Sequence, residues 1–151
     1  MTKRSLWDEP SREALLARLA ALDPNAKRLW GKMDVAQMLG HCTEVLRVAT
    51  CERTLERSFI GFLFGRIALK QTLKDPNIRK NLPTDKSYVV NDARQFSPER
   101  AALVEIIERF ASRGPKGVPP GPHPFFGPMT PEEWDIMQWT HLDHHLRQFG
   151  A

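Results

Sequence analysis

The sequence has only two cysteines and one tyrosine among its 151 residues. Cys42 and Cys51 form no C-x-x-C pattern, which argues against a disulfide framework and a thiolate metal site, so we expect a reducing, cytoplasmic location. The chain offers no run of roughly 20 apolar residues for a membrane span, and residues 1–7 are too polar for a signal peptide. The sequence therefore predicts neither secretion nor association with a membrane.

Charge of one sign is also only slightly in excess, with 22 basic against 18 acidic residues and a net charge of +4. Basic residues occur among acidic ones along the chain, whereas nucleic-acid binders usually concentrate them in one stripe. We therefore interpret them as solvated surface and rank nucleic-acid binding last. With 41% hydrophobic and 26% charged residues, the chain can bury a core, and residues 1–151 are predicted to form one domain.

Apolar residues recur at helical spacing in four or five segments. The first ends at Asp23-Pro24, because a residue before proline resists the helical conformation. The second begins with a capping box, Asp34 and Gln37, and the last begins at Thr130-Pro131 and continues to Gln148. The sequence predicts an all-α protein, an up-and-down four-helix bundle with a long loop rich in proline and glycine, residues 114–129, before the last helix.

The segment Phe59–Leu73 has apolar residues around its whole circumference, which predicts a mostly buried helix. Gly61 and Gly65, one turn apart, indicate close packing against a neighbouring helix, either within one chain or across a homodimer. The run Tyr88–Val90 is interpreted as a short strand. Ser97-Pro98 predicts the start of a further helix, since serine caps free amides and proline fits the first turn.

The last helix places five chemically informative side chains on one face. These are Trp134, Gln138, His141, His145 and Gln148. Two imidazoles four residues apart can bind one ion, because i, i+4 spacing brings both rings to the same point. On the second helix His41 is in step with Met38 and Val45, so its ring is predicted to point inward. The sequence thus offers three candidate ligands.

A single inward histidine is more often a satisfied core residue than a ligand. Three on converging faces favour a divalent-metal site made of His41, His141 and His145. Such a site leaves coordination positions for water or substrate, as catalytic sites do. Zn²⁺ and Ni²⁺ are the expected ions, although imidazole also suits Cu²⁺ and Fe²⁺.

Other residues have weaker claims to a place in this site. His144 either orients a ligand or faces solvent, and Gln138 and Gln148 are candidates for contacts with a ligand ring or a substrate. For His123, in the Pro/Gly-rich loop, an exposed position is favoured over one across the metal. Asp143 is interpreted as surface charge and Cys42 as a packed apolar thiol.

The run His141–Gln148 resembles the H-x-x-H-H-x-x-Q signature of the DinB/YfiT-like superfamily of metal-binding four-helix bundles, and His41 lies where that superfamily has its third ligand. Residues 123–127, 130–134 and 147–150 resemble an uncharacterised, domain-of-unknown-function branch of it. The resemblance implies a bundle in which His41, His141 and His145 bind Zn²⁺ or Ni²⁺, whereas His144 does not. Characterised relatives include transferases that use bacillithiol or mycothiol and a thiol-dependent maleylpyruvate isomerase.

From the histidine pattern and this resemblance we expect a metal-dependent enzyme, a thiol S-transferase or hydrolase acting on a small molecule such as a low-molecular-weight thiol. The ion would lower the pKa of a bound thiol or water. The alternative is a non-catalytic metal-binding or stress-response bundle. The sequence has no recognisable thiol-binding motif, so the substrate stays open.

Overall fold

The computed structural model describes residues 3–82 and 85–151. Within these ranges the chain forms five α-helices and no β-strand. They are α1 (Glu9–Ala21), α2 (Val35–Ala49), α3 (Phe59–Lys74), α4 (Phe96–Arg113) and α5 (Pro131–Gln148). The predicted all-α class is confirmed, with five helices where the sequence suggested a bundle of four.

The two helices that carry the candidate ligands begin at the predicted capping boxes. At α2, the Asp34 side chain accepts a hydrogen bond from the Gln37 amide at 2.8 Å, and the Gln37 side chain accepts one from the Asp34 amide at 3.0 Å. At α5, Thr130 and Glu133 form the same reciprocal pair. These bonds satisfy amides that lack partners inside the helix, so each helix starts at a defined residue.

Two local predictions were wrong. The run Tyr88–Val90 forms no strand, because Lys86–Tyr88 is a 3₁₀ turn capped by Asp85. Helix α4 begins at Phe96, one residue before Ser97-Pro98, and its N-cap residue Gln95 makes no side-chain capping bond. Helix α4 ends at Arg113, directly before the predicted Pro/Gly-rich loop, and Gly114 adopts a φ of +60° there.

The hydrophobic core lies between α1, α2, α4 and α5. Its fully buried side chains include Leu15, Leu19, Leu39, Leu46, Leu103, Ile107, Leu142 and Leu146. Each such side chain contributes roughly 1.5–3 kcal/mol relative to an exposed position. The core therefore fixes α2 and α5 relative to each other, and these helices carry His41 and the α5 histidines.

Helix α3 is mostly exposed, contrary to the prediction from its all-round apolar sequence. Only Gly61, Gly65 and Leu69 are buried on it, whereas the exposed fraction of Phe59 is 77%. Apolar residues do surround the axis of α3, as the sequence indicates. However, within the described residues no second layer of protein covers its outer face.

The glycine pair of α3 packs against a loop, and not against a helix as predicted. A Cβ atom built on Gly61 would lie 2.5 Å from the Phe125 carbonyl oxygen, and one on Gly65 would lie closer still. The Ser58 amide also donates a hydrogen bond to the Pro124 carbonyl at 2.9 Å. The close approach is therefore made within the chain, where the Pro/Gly-rich loop crosses α3.

Asp143 is buried, which corrects its interpretation as surface charge. Its carboxylate is 2.7 Å from the Arg18 guanidinium and 2.7 Å from that of Arg147. Arg18 also donates a hydrogen bond to the carbonyl of Ala151 at 2.9 Å. The ion pair with Arg18 joins α1 to α5. Its partners are 125 positions apart, so local sequence patterns could not predict it.

Candidate metal centre

His41 lies on the buried face of α2, with only 4% of its surface exposed. Its Nδ1 atom is 2.9 Å from the carbonyl oxygen of Tyr88. A carbonyl only accepts, so Nδ1 carries the proton and Nε2 keeps a free lone pair. The turn at Lys86–Tyr88 thus selects the tautomer that can bind a metal through Nε2.

Arg53 holds this turn in place beside α2. Its guanidinium lies 2.6 Å from the Glu44 carboxylate and donates to the Ser87 carbonyl at 2.7 Å. Ser87 precedes Tyr88, so the ion pair positions the carbonyl that orients His41. Sequence patterns do not reveal this arrangement, because it depends on a hydrogen bond from Arg53 to a backbone carbonyl 34 residues later.

His145 is oriented in the same way by Gln148, one turn later on α5. Its Nδ1 is 2.8 Å from Gln148 Oε1, and Gln148 Nε2 donates to the carbonyl of Trp30 at 2.8 Å. Because the amide nitrogen must face that carbonyl, its oxygen faces His145 and accepts from Nδ1–H. The His145 Nε2 atom is therefore free as well. Hydrogen bonds of this kind fix the ring orientation of metal-binding histidines.

The structure brings His41, His141 and His145 together, with one ring nitrogen of each within 4.8 Å of the others. The Nε2 atoms of His41 and His141 are 3.1 Å apart. Around a tetrahedral Zn²⁺ with bonds of about 2.0–2.1 Å, ligand nitrogens stand about 3.3 Å apart. Two nitrogens at 3.1 Å need a proton or a cation between them, since facing lone pairs repel. The donor set and the spacing of His41 and His141 suit a divalent ion, and the group of three could hold one.

Electrostatics keep the three rings neutral. Burial lowers the pKa of His41, which its bond to Tyr88 partly offsets, and burial lowers that of His145 to about 3. For His141 burial, together with the neighbouring His145 and His41, lowers the pKa well below its usual value. Metal binding requires neutral imidazoles, so near pH 7 none of the three rings has to lose a positive charge first.

His144 lies beside the three-histidine group without belonging to it. Its ring packs 5.4 Å from that of Trp30 and 5.2 Å from that of His145, measured between centroids. Burial, aided by Arg147, lowers its pKa to about 4. His144 is therefore half-buried outside the three-histidine group, where it packs against the loop that carries the Trp30 carbonyl.

His123 is buried away from the group, which corrects its interpretation as an exposed loop residue. The exposed fraction of His123 is 5%, and the centroid of its ring lies 5.0 Å from that of Trp134. Trp134 precedes His141 by seven residues, or about 10 Å along α5. Its Nδ1 accepts hydrogen bonds from the amides of Phe125 and Phe126 at 3.0 and 3.1 Å. His123 thus organises the loop that contacts α3.

Gln138 and Cys42 complete the predicted set. Gln138 is 1% exposed, and its Oε1 atom has no hydrogen-bond partner among residues 3–82 and 85–151. Cys42 is buried and its thiol lies 3.8 Å from the Met38 sulfur, as expected for a packed apolar side chain. Burial raises the pKa of Cys42 far above its usual value, so it is no thiolate ligand.

The comparisons with known proteins give a family and no function. The chain matches, over residues 1–151, the model of a family described as protein of unknown function, DUF1569. Searches of curated proteins and of solved structures gave no match. Because that match covers its whole length, the chain belongs to the DUF1569 family.

Proposed function

We propose that this protein is a divalent-metal-dependent enzyme with a DinB/YfiT-like bundle, in which His41, His141 and His145 bind Zn²⁺ or Ni²⁺. One observation carries the proposal: three neutral imidazoles from two helices bring ring nitrogens within 4.8 Å of one another. Three ligands leave at least one position of a tetrahedral ion for a substrate or water. His141 is the most exposed of the three, so we expect the open position on its side.

The chain's own groups prepare the ligands in advance. The Tyr88 carbonyl and the Gln148 amide each hold a proton on Nδ1, which leaves Nε2 of His41 and His145 free. The bound ion would supply Lewis acidity, lowering the pKa of a thiol or water at the open position. Because the tautomers are already set, little reorganisation accompanies metal binding. Removal of a hydrogen-bond acceptor that holds a ligand histidine typically weakens metal affinity 10- to 100-fold.

The substrate class we favour is a small thiol, with hydrolysis of a small ester or amide as the other reaction. Neither cysteine of this chain offers a reactive thiolate at the centre. Cys42 is buried with a raised pKa, and the Cys51 thiol lies near the Gly117 carbonyl, at 3.7 Å. A thiol nucleophile would therefore come from the substrate.

Metal analysis of protein purified without a histidine tag tests the centre. We expect one Zn²⁺ or Ni²⁺ per chain in the wild type and a loss of most of it in His145→Gln. His144→Gln is the matched control, because it makes the same substitution at the adjacent position outside the group, and it should keep the ion. A wild type without stoichiometric metal, or a His145→Gln variant that retains it, would contradict the proposal.

A second candidate is a non-catalytic metal-binding or stress-response module. It is favoured by the low exposure of two ligands, 4% for His41 and 8% for His145, which leaves little ligand surface for a substrate. Chelation separates the two functions. If removal of the metal unfolds the helices while small thiols, electrophiles and esters are never turned over by the metal-loaded protein, the structural role is favoured.

A further inference from the structure

The outer face of α3 exposes an apolar surface that the core does not cover. Six large side chains on it are between 53% and 77% exposed: Phe59, Ile60, Phe62, Leu63, Phe64 and Ile67. From typical side-chain areas this is on the order of 700 Å² of apolar surface, above the roughly 300–600 Å² of the largest patch on an ordinary monomer. Such a surface indicates a partner.

The chain's net charge is concentrated in α3 and the two residues before it. Residues 57–74 contain Arg57, Arg66, Lys70 and Lys74 and no acidic residue. Without these four, 18 basic residues remain against 18 acidic ones, so this segment alone accounts for the net charge of +4. A negatively charged partner would complement this segment.

Apolar residues predominate at the N-terminal end of the exposed face and basic residues at its C-terminal end. Phe59 and Leu63 lie four residues apart, and Arg66 and Lys70 continue the same strip because each follows one of them by seven residues. Up to Phe64 the exposed face is thus apolar, and from Arg66 onward it carries basic residues together with Ile67. On the opposite side, the glycine pair packs on the Phe125 backbone, so the exposed face is held outward.

We propose that α3 lies on the surface of a bilayer that contains anionic phospholipids. The phenylalanine-rich N-terminal part would enter the boundary between headgroups and acyl chains, while Lys70 and Lys74 contact lipid phosphates. Arg66 instead donates a hydrogen bond to the Pro128 carbonyl of the loop. No helix within the described ranges is long and apolar enough to cross a membrane. This revises the expectation of no membrane association drawn from the absence of a spanning segment.

A second copy of the chain is the competing occupant of this face. The exposed area approaches the roughly 800 Å² per partner of a stable dimer. However, pairing α3 with another α3 leaves Lys70 and Lys74 without an acidic partner, because residues 57–74 contain none. In a parallel arrangement the two basic halves would also repel each other. Charge therefore favours the anionic lipid surface over self-association.

Co-sedimentation of the full-length, metal-loaded protein with lipid vesicles tests the proposal. We expect binding to vesicles of phosphatidylcholine mixed with phosphatidylglycerol, and little binding to phosphatidylcholine alone. Lys70→Gln with Lys74→Gln should weaken binding on the order of twentyfold, since one cation near the surface contributes about fivefold. Phe59→Ser with Leu63→Ser should abolish it, and added salt should weaken it.

The control variant changes the same residue types elsewhere on the surface. Lys27→Gln with Leu29→Ser removes an exposed cation and a 68% exposed leucine outside α3, and it should bind as the wild type does. Circular dichroism verifies that every variant is folded. Equal binding to both kinds of vesicle, or none to either, would overturn the proposal. So would a stable dimer in vesicle-free ultracentrifugation that Phe59→Ser with Leu63→Ser dissociates, which would assign the face to a second copy.

Discussion

Replacement of His123 by asparagine should make the protein more resistant to acid. Burial lowers the pKa of His123 to about 4, against an ordinary value of 6.5 in the unfolded chain. As the pH falls from about 6.5 to about 4, the unfolded chain takes up a proton that the folded chain does not. Stability is therefore lost through this window, by about 2 kcal/mol at pH 5 and about 3 kcal/mol once both states are protonated.

Asparagine is the suitable replacement because it keeps the acceptor and does not titrate. Its side-chain oxygen can accept from the amides of Phe125 and Phe126 as Nδ1 does, at 3.0 and 3.1 Å in the wild type. Its smaller side chain leaves space beside Trp134, so the variant should be less stable than the wild type at neutral pH. That cost does not depend on pH, whereas the proton linkage does.

Urea denaturation of metal-free wild type and His123→Asn at a series of pH values measures the effect. The variant should lose about 2 kcal/mol less free energy of unfolding than the wild type between pH 7.5 and pH 5. The remaining histidines are common to both proteins and cancel in the comparison. A wild-type minus variant difference that is the same at both pH values would refute the reasoning, because it would mean that His123 titrates alike in folded and unfolded chains.

Three further predictions concern the contacts that hold the centre and its surroundings. Gln148→Leu removes the acceptor for His145 Nδ1 and should weaken metal affinity 10- to 100-fold in a competition titration with a chelator, while Gln148→Glu should retain much of it. Gly65→Ala should destabilise the fold by about 2 kcal/mol in chemical denaturation, because a Cβ there collides with the Phe125 backbone and the gain in helix propensity is only about 1 kcal/mol. Asp135→Ala should lower the free energy of unfolding by about 1–3 kcal/mol and raise protease sensitivity at the N-terminus. The reason is that the buried Asp135 carboxylate accepts hydrogen bonds from the Ser5 hydroxyl and the Leu6 amide. An unchanged cleavage pattern would contradict this role.

The α-helices and the three-histidine group could be predicted because their signals are local. The capping boxes at Asp34 and Thr130 define where α2 and α5 begin, and the spacing of His141 and His145 puts both rings on one face. The inward position of His41 could be predicted because it lies in step with the apolar residues of α2. These features follow from i, i+3 and i, i+4 relations within single helices.

The errors concern contacts between segments far apart in sequence. Asp143 is buried because Arg18, 125 positions earlier, supplies its counter-charge. His123 is buried because Trp134 and the loop's own amides surround it. For α3, the all-round apolar pattern predicts burial, but it cannot show whether another part of the chain covers the helix.

Through Gln148, the orientation of the His145 ring depends on Gly31, a residue outside the histidine group. Gly31 follows Trp30, whose carbonyl holds the Gln148 amide, and it adopts a φ of +83°. A Cβ atom at that position would lie 2.5 Å from Gln148 Nε2. Any larger residue there would push the amide away from its carbonyl and release the His145 ring from its tautomer. Selection for a working centre should therefore also act on a glycine in the loop before α2.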